Sequence, residues 1–587
     1  MKKISIKAVR PLKRGSLINT NHLKKSFLQL VQERSISKPH FSGYWLNNRV
    51  PKNAKKIEEY DISDAKVEIF LLHGGIEYFY YIDPLEYKLS PPLVRIVREL
   101  IEKIATSNPR LSWSSYEELR QYVTTLSKAL IPELVQKYNC SNYCPIENNS
   151  NSIEEALSRI VTKYTVGLGL IESLLTDPRI EDIFVDAPVA SNCIYITLKG
   201  CKGSSSIFRC ATNINVTEAE VDALVSRFRH CSAQPFSEAF PVMEIDVTGF
   251  DSRATVIGPP LSPNGTAIAL RKHSVSPWTL LKFAYNETID CFMAGLISFL
   301  IDGRSTVLIC GPRGSGKTAF LGASLFEFPK SQRILTIEDT PELPVRKLQQ
   351  LGHKVQSMVV ESEIGVNREE RMNEALRVSL RLGESAIVLG EVRGKEAITL
   401  YESMRTGKAG SSVLGTIHGE SAKSVYERVV HDFRISKEVF GVTDVVITLG
   451  LCRPRGSQAQ TRKVVEIAEL KKGDNSGEFQ TLAKFEYGSC SFCHILHEKS
   501  EVIDKIARSW NISYDETWNN IQARAKIREV LISLAYKGYT ECLEPEWISR
   551  ANEFLWQRMT YEEIHYETVA EEFRIWACGR LGISGDA

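Results

Sequence analysis

STVLICGPRGSGKTAFLGASLFEF, residues 305–328, reads as an apolar strand, a glycine-rich turn and a helix in direct succession. At its centre, Gly311-Pro312-Arg313-Gly314-Ser315-Gly316-Lys317-Thr318 satisfies G-x-x-x-x-G-K-[ST] in the strand-to-helix setting that the pattern requires. The glycines let the backbone wrap a phosphate chain, so that amide N–H groups and a helix N-terminus face anionic oxygens. Lys317 is then expected to reach the terminal phosphates of ATP and Thr318 to ligate Mg²⁺.

Working outward, residues 290–470 alternate apolar β-runs with helical stretches: STVLICG, RILTIED, KVQSMVV, SAIVLGE, SSVLGTIH and DVVITLG. Near-continuous apolar strands spaced by helices imply an α/β domain whose parallel sheet is covered on both faces. Two of these strands end in acids. RILTIED runs into Thr340-Pro341-Glu342-Leu343, bringing Glu338, Asp339 and Glu342 within five residues. Acids there can hold Mg²⁺ and orient a water, or they form a solvated acidic turn. The strand Ala386–Leu389 continues through Gly390 to Glu391, the first choice for polarising an attacking water, with Glu342 the second. A third strand ends Thr416-Ile417-His418.

The order of these segments carries a resemblance. The phosphate loop is followed by IEDTPEL, by Leu376-Arg377 and Leu380-Arg381, by GEVRGKEA and by GTIHGESA. This series is similar to the type II/IV secretion ATPase superfamily, closest in form to archaellum and archaeal pilus motors and type IV secretion traffic ATPases. Upstream, GLGLIESLLTDPRIEDIFVD (167–186) and GPPLSPNGTAIALRK (258–272) look like that family's N-terminal domain. The resemblance implies a RecA-like P-loop ATPase domain, preceded by an α+β N-terminal domain and followed by a helical extension. It implies that His418 reports the γ-phosphate region, and that Glu338 and Asp339 complete the Mg²⁺ environment with Thr318. It also implies that Arg253 and Arg271 reach toward nucleotide from the N-terminal domain; a surface strand position explains each arginine in the simpler way. Arg377 and Arg381, four apart on one helix face, serve jointly or form ion pairs. Two departures stand out: Gly410-Ser411 occupies the place of a second histidine, and the family's usual Asp-Gly-Ser-Arg turn reads Phe250-Asp251-Ser252-Arg253, which keeps the arginine and loses the glycine.

The same resemblance implies a homohexamer that powers assembly of a pilus-like filament or protein secretion. Its partners are a polytopic membrane platform protein and, indirectly, a pilin-like or secreted substrate. Retraction or DNA conjugation is the alternative within this chemistry. A ring helicase is disfavoured by Gly390 in the strand before Glu391 and by the lack of a basic groove interleaved with aromatics. No sequence-specific nucleic acid is expected.

With 587 residues the chain exceeds a single core. Composition divides it into a basic arm (1–60), a hairpin and helical subdomain (61–150), an α+β domain (151–276), the P-loop domain (277–470) and a helical extension (471–587). Met1 to Lys56 carries fourteen Lys or Arg against one acid, Glu33, although the whole chain is only +2. Such an arm suits an anionic membrane surface or serves as a solubilising tail. The best apolar run, Cys291–Ile301, has 11 residues, where a spanning helix needs about 20. With no secretory leader legible, a cytoplasmic protein peripherally associated with the membrane is expected. Thirteen scattered cysteines fit reduced thiols. Cys490, Cys493 and His497 offer three zinc ligands where a structural site needs four, so buried or incidental thiols are the competing reading.

Overall fold

In the computed structural model the described residues are 36–72, 77–107, 116–140, 153–199, 207–232, 234–247, 249–272, 276–360, 368–394, 396–405, 412–456, 460–471, 477–494, 499–561, 565–566 and 568–583. Contacts divide the chain into two compact units: Met1–Leu198 with Arg209–Lys272, and Lys199–Phe208 with His273–Ala587.

The first unit is built on an 11-stranded sheet. Its strands are β1 (Ile36–Ser37), β2 (Tyr44–Asn47), β3 (Lys55–Ile62), β4 (Ala65–Leu71), β5 (Tyr78–Pro84), β6 (Ile180–Val185), β7 (Cys193–Lys199), β8 (Ile207–Val216), β9 (Val242–Val247), β10 (Ser252–Ile257) and β11 (Ala267–Lys272). They run in the order β3-β4-β5-β8-β7-β6-β11-β10-β9, with β2 joining β8 and β1 from the side. The expected hairpin is β4 against β5, with Val67 opposite Ile82 and Ile69 opposite Tyr80, all four buried. Its turn, His73-Gly74-Gly75, lies outside the described residues. The basic arm is corrected in part: residues 36–62 supply β1, β2 and β3 to the sheet, while residues 1–35 lie outside the described residues. Composition misled there because the cations are exposed, Lys38, Arg49 and Lys52 between the strands and Lys55 and Lys56 at the start of β3, while Tyr44 and Leu46 of β2 are buried.

The second unit holds a nine-stranded sheet: β12 (Val307–Gly311), β13 (Arg333–Glu338), β14 (Lys354–Val359), β15 (Ala386–Val392), β16 (Ser412–His418), β17 (Val445–Cys452), β18 (Thr461–Leu470), β19 (Phe479–Glu486) and β20 (Ser491–His494). The order is β14-β13-β15-β16-β12-β17-β18-β19-β20. The first six strands are parallel, and β18 to β20 then add antiparallel. Their continuous apolar runs follow from burial on both faces. Val307 and Ile309 of β12 enter one core, whereas Leu308 and Cys310 enter the other.

The segment after Leu470 is largely the helical region expected, with two strands at its start. It first contributes β19 and β20, and its helices then close the core on one face of the sheet. Helix Tyr514–Tyr536 packs along helix Cys291–Asp302 so closely that a Cβ on Gly295 would meet Ala525 N at 2.7 Å. Two arginines of that helix, Arg524 and Arg528, are fully buried. Arg524 pairs with Asp302 and donates to Ser298 Oγ at 2.9 Å. Arg528 donates to Glu327 Oε2 at 2.6 Å, which Asn552 also contacts at 2.9 Å. Removing one partner of such a pair strands a buried charge and costs about 3–5 kcal/mol, so these helices are integral to the unit. No helix among the described residues is long and apolar enough to cross a membrane.

Candidate active site

The phosphate-loop pattern folds as its residues require. β12 ends at Gly311, and helix Lys317–Ser324 begins at once after Gly316. Gly316 caps that helix at φ 90°, a left-handed conformation that a side chain disfavours. Gly314 sits at φ 81°, and a Cβ there would find nothing within 4 Å, so this part of the loop opens onto free space. Pro312 and Arg313 are exposed, and Ser315 is buried with its Oγ lacking a hydrogen-bond partner. Lys317 Nζ donates to the Gly311 and Pro312 carbonyls at 3.0 and 3.1 Å. Burial lowers the pKa of this ammonium, and the nearby Glu391 carboxylate partly offsets the effect. Thr318 follows, half-buried, in the first helical turn.

Parallel pairing brings the other candidates to the same end of the sheet. Gly311 of β12 is in register with His418 of β16, and β15 lies on the far side of β16. His418 Nε2 stands 2.9 Å from Glu391 Oε1, at ion-pair distance but out of hydrogen-bond alignment. Arg393 pairs with the other Glu391 oxygen, and its Nη1 lies 3.6 Å from Asp339 Oδ2. Burial acts to raise the Glu391 pKa, but Arg393, His418 and Lys317 outweigh it and hold the carboxyl below its ordinary range. Burial and the Lys317 charge push His418 downward, toward the neutral imidazole.

Glu338 has a different setting. It is buried, and its Oε1 accepts from the Glu342 and Leu343 amides, both at 2.9 Å, which folds the Thr340–Leu343 turn. Its Oε2 is buried without a hydrogen-bond partner, and burial raises the carboxyl to about 7. Asp339 Oδ1 accepts from the Thr340 amide at 2.9 Å. Glu342 itself is exposed, held through its backbone. Gly390 now has a steric reason: a Cβ there would lie 3.3 Å from Glu338 Cγ, so its bareness makes room for the buried glutamate next door. Thr416 Oγ1 donates to the Gly390 carbonyl at 2.6 Å and ties β16 to β15 below the site.

Arg253 and Arg271 lie in the first unit, directly opposite one another on β10 and β11. Arg253 pairs with Glu244, and Arg271 Nε lies 3.4 Å from Asp182 Oδ1. Arg377 is in helix Arg368–Ser379, but Arg381 falls in the turn after it. The two therefore do not share a helix face; the chain turns there to enter β15. Cys493 is on β20 and Cys490 precedes it, while His497 lies outside the described residues. Among the described residues no three His, Cys, Asp or Glu side chains group to hold a metal. His494 instead bonds Asp290 Oδ2 at 2.6 Å.

Two residues without a role in the sequence reading belong to this site. Arg393 bridges two acids, and Arg462 of β18 donates through Nε to the Gly314 carbonyl at 3.1 Å. Arg393 adjoins Glu391 in sequence and so carried a signal; Arg462 is distant in sequence from every motif and carried none. The loop fits a triphosphate on three observations among the described residues: Lys317 is satisfied only by carbonyls, Ser315 Oγ is an orphan, and open space faces Gly314. The orphaned carboxylate oxygen on Glu338, with Asp339 next to it in sequence, is a donor of the kind a Mg²⁺ ion takes.

The family described as type II/IV secretion system protein matches residues 218–541, more than half of the 587. An uncharacterized protein of Methanocaldococcus jannaschii is 26% identical over 363 residues, covering 60% of this chain and 46% of that protein. The chain thus spans less than half the length of that relative. A putative conjugal transfer protein of Mycobacterium tuberculosis is 25% identical over 354 residues, 58% of this chain and 95% of the other. The solved structure of the VirB11 ATPase of the Brucella suis type IV secretion system, in complex with sulphate, is 20% identical with a TM-score of 0.24, covering 51% of this chain and 95% of that one. With a family match over most of its length and the motifs of that match gathered at one end of one parallel sheet, the chain belongs to the type II/IV secretion system protein family.

Proposed function

We propose that this chain is an ATP-hydrolysing motor that works as a homohexamer to power assembly of a type IV pilus-like filament or type II/IV protein secretion. The observation that carries the reading is the approach of His418 to Glu391 at 2.9 Å, beside a phosphate loop whose lysine donates to two loop carbonyls. The loop amides and Lys317 hold the phosphates. Glu391, kept ionised by its cationic neighbours, orients the attacking water and polarises it toward the phosphorus. Neutral His418 senses that water or the γ-phosphate. Thr318, Asp339 and Glu338 would hold Mg²⁺, which when bound would supply charge neutralisation on the phosphate oxygens. Arg253 and Arg271 serve as cations that couple nucleotide state to domain closure.

The basic residues among 1–56 suit an anionic membrane surface, which supports a motor docked on a membrane platform protein at the inner face of a membrane. Resemblance to a conjugal transfer protein favours one second reading, a DNA-conjugation ATPase with the same chemistry. Steady-state ATPase activity of wild type and Glu391→Gln, each run on a sizing column with MgATP, tests the proposal. Loss of turnover with a nucleotide-held hexamer retained supports it. Full activity in the variant moves the water-activating role to Glu342, and an inactive, monomeric wild type defeats the autonomous motor. Stimulation of turnover by DNA would favour the conjugation reading.

A further inference from the structure

We infer that Arg462 is a positioning residue for the nucleotide: it sets the direction of a phosphate-loop amide without itself touching the reacting atoms. The inference rests on the nucleotide reading above and adds a residue from outside every motif of that reading.

Three observations carry it. Arg462 Nε donates to the Gly314 carbonyl at 3.1 Å. A Cβ on Gly316 would meet Arg462 Cδ at 3.5 Å, so the arginine stem lies along the loop at two of its glycines. The strand that presents it is fixed: Arg462 is in register with Leu451 of β17, and Val464 N donates to the Thr288 carbonyl at 2.8 Å. The next residue, Lys463, donates to the Glu287 carbonyl and lies over the Phe485 and Phe492 rings at 5.4 and 5.6 Å. Arg462 is thus held by a well-anchored strand, whereas Gly314 has nothing within 4 Å of a Cβ to restrain it.

The physical link is the planarity of the peptide. In the trans peptide joining Gly314 to Ser315, the carbonyl and the N–H point in opposite directions. Fixing the Gly314 oxygen on Arg462 therefore fixes the opposite direction of the Ser315 N–H, which donates to the Pro312 carbonyl at 3.3 Å, the same carbonyl that accepts from Lys317 Nζ. A glycine at this place flips its peptide easily, and each flip removes an amide from the phosphate cradle. A guanidinium bonded to the carbonyl suppresses the flip and pre-organises the loop before any phosphate arrives. The consequence falls on binding more than on the chemical step, because the cradle holds ground state and transition state alike.

The test uses the full chain, with equilibrium titration of a fluorescent ADP derivative in Mg²⁺ and steady-state ATPase kinetics. Arg462→Gln, Arg462→Lys and Lys317→Ala are compared with wild type. Arg462→Gln is expected to raise Kd and KM about tenfold while kcat falls less than about threefold. Arg462→Lys, which restores a charged donor, is expected within about threefold of wild type. Nucleotide affinity in Arg462→Gln within about twofold of wild type would overturn the inference while leaving the proposed function standing. A lysine variant as weak as the glutamine variant, or equal losses in kcat and affinity accompanied by a lowered Tm, would overturn it in favour of a structural role. Wild type that binds no more nucleotide than Lys317→Ala would overturn both the inference and the nucleotide reading.

Discussion

Strands β13 and β15 lie side by side, each an apolar run with a glutamate in its last two residues, and they treat those glutamates in opposite ways. Glu338 is closed off from water and bonded to two backbone amides, and burial lifts its carboxyl to about 7. Burial acts on Glu391 in the same direction, but Arg393, His418 and Lys317 reverse the outcome. The two acids differ in what surrounds them at the strand end, where one faces a turn of its own chain and the other faces three cationic or imidazole side chains. An ionised carboxylate suits the activation of water, and a buried one bonded to two amides suits the shaping of a loop while leaving its second oxygen for a cation.

The sharpest way to break this contrast is Glu391→Gln, expected to lower kcat about 10²- to 10³-fold while leaving nucleotide affinity nearly intact. A variant that loses affinity and turnover together would mean that Glu391 belongs to binding instead. His353, before β14, sharpens the comparison by showing burial acting with no hydrogen-bond compensation. Both its ring nitrogens are buried without a partner, and burial lowers its pKa from 6.5 to about 4. Since the unfolded chain takes up that proton first, the contribution of His353 is fully present above the unfolded value and is lost as pH falls toward the folded one. The loss is expected to be on the order of 3 kcal/mol. Urea unfolding of wild type and His353→Leu, at neutral pH and at pH about 4.5, reads it as a difference in slope. Glu338 works in the opposite sense, its raised pKa weakening the fold as pH climbs from 4.5 through 7.

Glu338→Ala leaves the Glu342 and Leu343 amides without an acceptor and is expected to cost about 2 kcal/mol, while Glu338→Gln keeps a carbonyl and costs less than about 1 kcal/mol. Equal losses in the two variants, measured by thermal unfolding, would assign Glu338 to charge interactions and end the contrast. The smallest effect is expected from Arg393→Ala. Without its main cationic neighbour the Glu391 pKa rises, so the acid limb of the kcat/KM profile moves to higher pH. An unmoved limb would show that His418 and Lys317 suffice.

Much of this site was legible because its parts are local. The loop from Gly311 to Thr318, and the acids or histidine that end β13, β15 and β16, each declare themselves within ten residues. The sheet followed for the same reason, since strands buried on both faces must be apolar throughout. Gly390 read as a departure from a common strand ending. It became intelligible only beside Glu338, a residue far upstream whose Cγ would lie 3.3 Å from a Cβ there. The helices after Trp510 read as an extension because nothing in their sequence says that Arg524 and Arg528 will find Asp302 and Glu327.

By itself, then, the sequence determined the phosphate loop, the parallel sheet and the strand ends that carry Glu391 and His418, because backbone geometry and side-chain periodicity are short-range properties. Only the tertiary structure decided which acid stays ionised, that Arg393 bridges Asp339 to Glu391, and that Arg462 grips the Gly314 carbonyl from β18. It also decided that β19, β20 and the last helices complete the second unit. Charge state and hydrogen-bond partnership depend on which distant groups share a low-dielectric space, and chain topology brings those groups together only on folding.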